Sequence, residues 1–335
     1  MANTSTDIFD GGLNIIGTNY NGVISIPGLT GGGSVTLPDN QIAFGSQGPI
    51  TSSPNLKFNP SNNNSTIGGV TNTISDLSSY SSILGGGSNH IACQSFQSSV
   101  IGGIVNVVSC YSNSSSIIGG QHSLIVESSD SIILGGKYNG VYQSESSLVA
   151  ASCRSYTYCS LRSSIIGGND NTIGKGTGTT ILGGYCNKAY SYSSNSIIGG
   201  GSYNRVTTGS QGVSIIGGLY NTIDSTGLSS IIGGCCNTIC NEGVFSSIIG
   251  GGSSTICNSP WSAIIGGQTN IITNSTCSAI IGGNNQTLTS QSNTVLVPNL
   301  IISGSFSTLG SYGISGTFLA PTSITVLNGI ITAIS

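Results

Sequence analysis

Charge is what this sequence has least of. Charged residues make up 5% of its 335 positions, against roughly 25% in an average globular protein. Seven Lys and Arg residues and a net charge of −3 cannot displace many counterions from a phosphate backbone, which excludes a nucleic-acid partner. No run of eighteen apolar residues occurs, so no transmembrane helix and no membrane insertion are expected. Met1 to Asp10 lacks the basic and apolar regions of a secretory leader, so export by another route, or assembly inside a cell before release, is expected. Only two His are present, His90 and His122, and there is no Cys-x-x-Cys spacing. No metal and no cofactor are therefore expected.

What is present is Gly, at 52 residues, and Ile within a hydrophobic share of 37%. That share is too high for low-complexity disorder. Ile is β-branched and favours strands. The chain is also visibly repetitive. Ser-Ile-Ile-Gly-Gly-x-x-Asn-Thr-Ile recurs nearly whole at Ser164–Ile173, Ser214–Ile223 and Ser230–Ile239. The first Gly of each pair falls at 68, 85, 102, 119, 135, 167, 183, 199, 217, 233, 250, 266 and 282. Leu148-Val149-Ala150-Ala151 marks a degenerate copy in the one long gap. A second apolar position, such as Ile74, Ile173 or Ile239, follows six residues after the first Gly.

Fourteen units of 16 or 17 residues, with one step of 18 between Gly199 and Gly217, are too short to hold a helix each. They predict an all-β, parallel β-solenoid in residues 65–292, a rod of roughly 65 Å at about 4.8 Å per coil. Gly-Gly supplies positive φ at a corner. The Asn that follows can bond its own turn and stack on the next coil. Residues 1–64 are assigned to an N-terminal β cap and attachment segment, with short strands at Val23–Gly28 and Gln41–Gly45. Residues 293–335 are assigned to a C-terminal cap, with a hairpin at Asn328-Gly329.

Each Ile-Ile pair implies burial on both strand faces, since neighbours in a strand point opposite ways. Which member faces outward is open. With the first taken as outward, the interface stripe is Ile117, Ile165, Ile197, Ile215, Ile231, Ile248, Ile264 and Ile280. Such a stripe is too large to leave in water, and another copy of the chain is the simplest cover.

The unit Ser230-Ile231-Ile232-Gly233-Gly234-x-x-Asn237-Thr238-Ile239 resembles the head repeats of YadA-like trimeric adhesins. Related repeats look at home in phage and large-virus fibre proteins. The resemblance implies a left-handed β-roll, a homotrimer around one axis, and a structural or adhesive role on a virion or cell surface. Gln41 to Asn59 similarly resembles segments leading into phage-type shafts.

Chemistry-bearing residues are sparse. Cys93 and Cys110, and Cys240 and Cys257, are each 17 apart in equal repeat phase, within disulfide reach on adjacent coils. Cys153 and Cys159 flank the degenerate copy. All six read equally well as free thiols. Tyr138, Tyr185 and Tyr220 follow Gly-Gly corners and suit stacking on host surface glycan. Tyr142, Tyr156, Tyr158, Tyr190 and Tyr192 are placed in long loops. Both His are placed in the turns after Gly-Gly. Glu127, Asp130 and Glu145 form the best carboxylate set for a tailspike-like depolymerase, though solvated loop positions explain them as well. An ice-binding solenoid would need a regular Thr-x-Thr ladder, and Thr here is irregular. No enzyme activity is expected.

Overall fold

The structure, a computed structural model, describes residues 41–44, 51–59, 61–75 and 77–298. The expected strand at Val23–Gly28 and the hairpin at Asn328-Gly329 lie outside these residues. The described part is all β, with no helix, and it winds as a parallel β-solenoid of about fourteen turns. One sheet collects the Ser-Ile-Ile strands, from Asn64–Ile67 to Val295–Leu296. The second collects the Asn-Thr-Ile strands, fourteen of them, from Thr73–Ile74 to Thr287–Thr289. Every strand pairs in parallel with its equivalent one coil away, as Ser214↔Ser230 and Thr222↔Thr238 do. Ahead of the first coil, Gln41–Phe44 pairs antiparallel with Thr51–Asn59, which pairs antiparallel with Asn64–Ile67. Single-residue bridges make a third side, from Val70 to Asn284, and a fourth between Glu145 and Gly227.

The coil running from Ser163 to Gly178 shows the design. Ser163, Ile165, Asn171 and Ile173 are fully buried. A Cβ on Gly168 would strike the Gly184 carbonyl, and one on Gly176 would lie 2.8 Å from the Ser193 carbonyl, so both glycines also face inward. The inward set repeats after eight residues: Ser163, Ile165, Gly168, then Asn171, Ile173, Gly176. Each coil is thus two eight-residue halves back to back. The left-handed corners follow the same rule, with φ of 78° at Gly167, 57° at Asp170, 56° at Lys175 and 63° at Gly178. In 17-residue coils the extra residue joins one of these corners, giving left-handed pairs such as Cys93-Gln94, Cys110-Tyr111 and Asn241-Glu242.

Ordinary side chains therefore sit where only glycine is at ease. Val105, at φ 56°, is among the least suited, with Thr71, Thr208 and Thr269, because β-branching aggravates the clash of a left-handed residue. Val105→Gly relieves it. The variant is expected to unfold at higher temperature, with a gain of about 1 kcal/mol, read by a circular-dichroism melt.

Much of the interior is polar, and most of those groups are satisfied by ladders. Asn204 accepts the Asn221 N–H at 3.0 Å and donates to the carbonyls of Gly200 at 3.0 Å and Gly218 at 3.1 Å. The serines do likewise. Ser131 donates to the Ser144 carbonyl at 3.0 Å and accepts the Ser147 N–H at 3.2 Å. Such ladders are the condition for burying so many polar groups.

The buried hydrophobics fall into two clusters, Ile83–Val149 and Ile165–Leu288. Thr157 stands at the break in the second sheet's inward file, between Val141 and Ile173. It is completely buried and its hydroxyl has no partner. Thr157→Val keeps the shape and removes the stranded hydroxyl, so a stabilisation of about 1–2 kcal/mol is expected in denaturant unfolding.

Two details of the repeat differ from the sequence reading. In the triple glycine, Ile198 rather than Ile197 aligns with Ile181 and Ile215. The corner pair is therefore Gly200-Gly201, and the apparent 18-residue step disappears. Except at Ile197-Ile198, the outward member of each Ile pair is the second, not the first. Ile117, Ile165, Ile215, Ile231, Ile248, Ile264 and Ile280 are all fully buried inside their own coils. Of the eight residues expected on the stripe, only Ile197 faces out, at 46% exposure.

Candidate functional site: the outer faces of the rod

The outward row of the first sheet is Ile67, Leu84, Ile101, Ile118, Leu134, Ile166, Leu182, Ile216, Ile232, Ile249, Ile265 and Ile281, all exposed. The strand register places one per coil, about 4.8 Å apart. Ala150 and Gly199 interrupt it. The residue two before, on the same face, is mostly Ser, Thr or Ala: Ser214, Ser230, Ser247, Ala263 and Ala279. The face is a long, uncharged, aliphatic strip.

The cysteines divide. Cys240 and Cys257 are joined as a disulfide across adjacent coils, with Cα atoms 4.7 Å apart. Cys93 and Cys110 share a column but are free thiols, and hydrogen bonding from Ser109 and Cys110 holds the Cys93 thiol below its ordinary value. Cys153 and Cys159 are not brought together. Cys153 is bridged to Lys137 and Asn169 on the third side. Cys159 donates to the Gln143 side chain at 3.3 Å.

The three expected carboxylates take different positions. Glu127 accepts from Gln143 Nε2 at 2.9 Å. Asp130 sits at a left-handed corner, and Glu145 forms a fourth-side bridge. A shallow cleft over Thr208, Gln211, Thr226 and Val244 carries Glu242 as its one acidic residue. Among the described residues there is no group of three His, Cys, Asp or Glu able to hold a metal ion. His90 lies in a second-sheet strand, not a turn, hydrogen-bonded to Thr73. His122 does occupy a corner, stacked on Tyr138 at 5.0 Å.

The tyrosines form two groups. At the corners, Tyr203 and Tyr220 stack at 4.7 Å and Tyr185 meets Tyr203 edge-on at 5.3 Å. Hydrogen bonding to Cys186 and to Tyr203 pushes the Tyr185 phenol up to about 12. Tyr138 lies under the Lys137 ammonium, 5.0 Å from its ring centre. Tyr138, Tyr185 and Tyr220 each have a ring or ammonium neighbour, yet remain exposed.

Of the tyrosines expected in loops, Tyr192 does occupy a left-handed corner, while the others stand instead on the outer face of the second sheet. Tyr142, Tyr156 and Tyr158 are strand residues. Tyr190 continues the next row but one, its N–H bonded to the Val206 carbonyl at 2.9 Å. Tyr142 and Tyr156 are 6.3 Å apart by ring centre, and Tyr158 and Tyr190 are 6.4 Å apart. Gly140 and Gly174 share these outward rows yet are buried. A Cβ on either would run into the ring of Tyr142 or Tyr158 respectively. Those two rings therefore lie down against the sheet, and burial raises both phenols above their ordinary value. The sequence carried a signal for this zone: six of the seven Lys and Arg lie between 137 and 205, and nine of the thirteen Tyr between 138 and 220.

No helix among the described residues is long and apolar enough to cross a membrane. Compared with known proteins, the chain matches no family model and no curated sequence.

Proposed function

We propose that this chain is a subunit of a surface fibre, on a virion or a cell, that supplies reach and attachment without turnover. Three copies assemble around one axis through their first-sheet faces, as a left-handed β-roll closed by β caps at both ends. The observation that carries the reading is the outward aliphatic row, which runs with two breaks along about fourteen coils. Rows of half-exposed Ile and Leu on a rod otherwise faced with Ser, Thr and Asn fit a self-associating filament better than a lone soluble chain. The Cys240–Cys257 disulfide fits an oxidising exterior.

Labelling decides between a fibre and an internal protein. Antibodies raised against residues 65–292 are expected to mark thin projections on the outside of intact particles or cells in electron microscopy. Label confined to the interior would remove the fibre reading.

A further inference from the structure

We infer that the outer face of the second sheet between Gly140 and Thr207 is a binding site for an acidic polysaccharide. The inference rests on the attachment reading and gives it a ligand class and a place. The outward positions of these coils are Gly140, Tyr142, Tyr156, Tyr158, Thr172, Gly174, Lys188, Tyr190, Arg205 and Thr207. They include four aromatic rings, two cations and no carboxylate.

The rings are arranged for stacking. A tyrosine standing upright on a sheet offers an edge. Tyr142 and Tyr158 lie flat because Gly140 and Gly174 leave room beneath them. Each ring packs over its glycine and beside a neighbouring tyrosine, Tyr142 by Tyr156 and Tyr158 by Tyr190. Flat, partly exposed phenols match the C–H face of a pyranose, and their hydroxyls serve its rim as donors or acceptors. Rings at Tyr142, Tyr156, Tyr158 and Tyr190 spread over four consecutive coils, about 14 Å of rod, which suits an extended chain of sugars.

The cations choose the ligand's charge. Lys188 and Arg205 are register partners on adjacent coils. Neither makes an ion pair among the described residues; the one salt bridge there joins Arg154 and Asp170 on another side. Lys188 lies 6.0 Å from the Tyr190 ring centre, and Lys175, at the bordering corner, 5.8 Å from that of Tyr192. The chain as a whole is negative, yet this face carries two basic residues on adjacent coils. Two adjacent cations beside aromatic rings outnumber the one acid bordering them, Asp224, which accepts from Thr207 on the adjacent coil, and the surplus positive charge attracts a polyanion and repels a basic partner.

A purely internal role, rings shielding the break at Thr157, would make the tyrosines matter to folding and not to binding. The test keeps these apart. The full chain is titrated calorimetrically with octasaccharides of hyaluronan, heparin and chitin. Binding to hyaluronan or heparin but not chitin is expected, and which of the two binds tells a carboxylate from a sulfate site. Tyr158→Ala is expected to weaken binding at least tenfold. Gly174→Ala, which keeps every tyrosine but lifts the Tyr158 ring, is expected to do nearly the same. Lys188→Ala with Arg205→Ala should weaken it about tenfold and flatten its salt dependence. Thr255→Ala, on the same sheet outside the zone, should change nothing. Unchanged melting curves show that the variants fold. If Gly174→Ala does not fold, the Lys188/Arg205 pair and Tyr158→Phe, which retains the ring, still decide. Absence of binding to either acidic octasaccharide, equal binding to chitin, or indifference to Tyr158 and Lys188 would overturn the inference. Externally labelled fibres with no such binding would leave the attachment reading standing and remove this site alone.

Discussion

Gly218→Ala is expected to cost more than about 3 kcal/mol of stability, and its neighbour Gly217→Ala only about 1 kcal/mol. Both residues are left-handed, at φ 82° and 69°. Both would therefore carry the same backbone penalty on gaining a side chain. The space around them differs. A Cβ on Gly217 meets nothing within 4 Å. One on Gly218 meets the Asn221 amide and the Gly234 carbonyl, with the Gly233 carbonyl carbon at 2.9 Å. None of those is the free end of a flexible side chain. Asn221 is held in the buried ladder, donating to Gly217 and Gly233 carbonyls at 3.4 and 3.3 Å, and the rest is backbone of the next coil. The methyl group must push two coils apart or break the ladder. In a solenoid each coil is held by its two neighbours alone, so one lifted contact divides the stack. The measurement is a pair of denaturant unfolding curves, repeated at Gly233 and Gly234, where the same contrast holds. Equal losses at the two positions of a pair would show that the second glycine does not face inward.

The same contrast explains what could be read from sequence and what could not. Spacing alone revealed the solenoid, because parallel coils demand one period and Gly-Gly with Asn marks it. Equal phase also brought Cys240 to Cys257. It did not tell a bonded pair from a free one at Cys93 and Cys110, nor could it relate Cys153 to Cys159, which sit on different sides. The inward face was hidden for a physical reason. Hydrophobicity normally identifies the interior, but here Ser163 and Asn171 are as buried as Ile165, while Ile166 is 46% exposed. Hydrogen-bonded ladders make the polar interior possible, and they are invisible until the coils are stacked. Once Ser163 is known to point inward, alternation turns Ile165 inward and Ile166 out. The tyrosines at 142, 156, 158 and 190 were missed similarly. Tyr beside Ser and Asn reads as loop, whereas their distance from the buried Val141, Thr157 and Ala189 places them one residue away on strands.

Placing two charges on the outward row, Ile232→Glu with Ile249→Glu, is expected to turn a three-chain particle into single chains. Ile232 and Ile249 are register partners on adjacent coils and are 43% and 42% exposed. Their side chains project away from the core, so the coil itself should fold unchanged. Burying the exposed part of one such Ile contributes about 1 kcal/mol. Twelve Ile and Leu residues in the row then offer on the order of 10 kcal/mol per chain, before the costs of association. Two glutamates per chain would gather six carboxylates around one axis, at coil spacings of about 4.8 Å. Unpaired charge in such a place costs several kcal/mol per group, enough to outweigh the remaining aliphatic contacts. Thr238→Glu with Thr255→Glu makes the control, since these are register partners on the same two coils but on the second sheet. That pair should leave the mass unchanged. Light scattering reads the result directly, with three chain masses for the parent and the control and one for the Ile variant. A parent protein that already scatters as one chain would remove the self-association argument, and an Ile variant that stays at three would move the contact to another face.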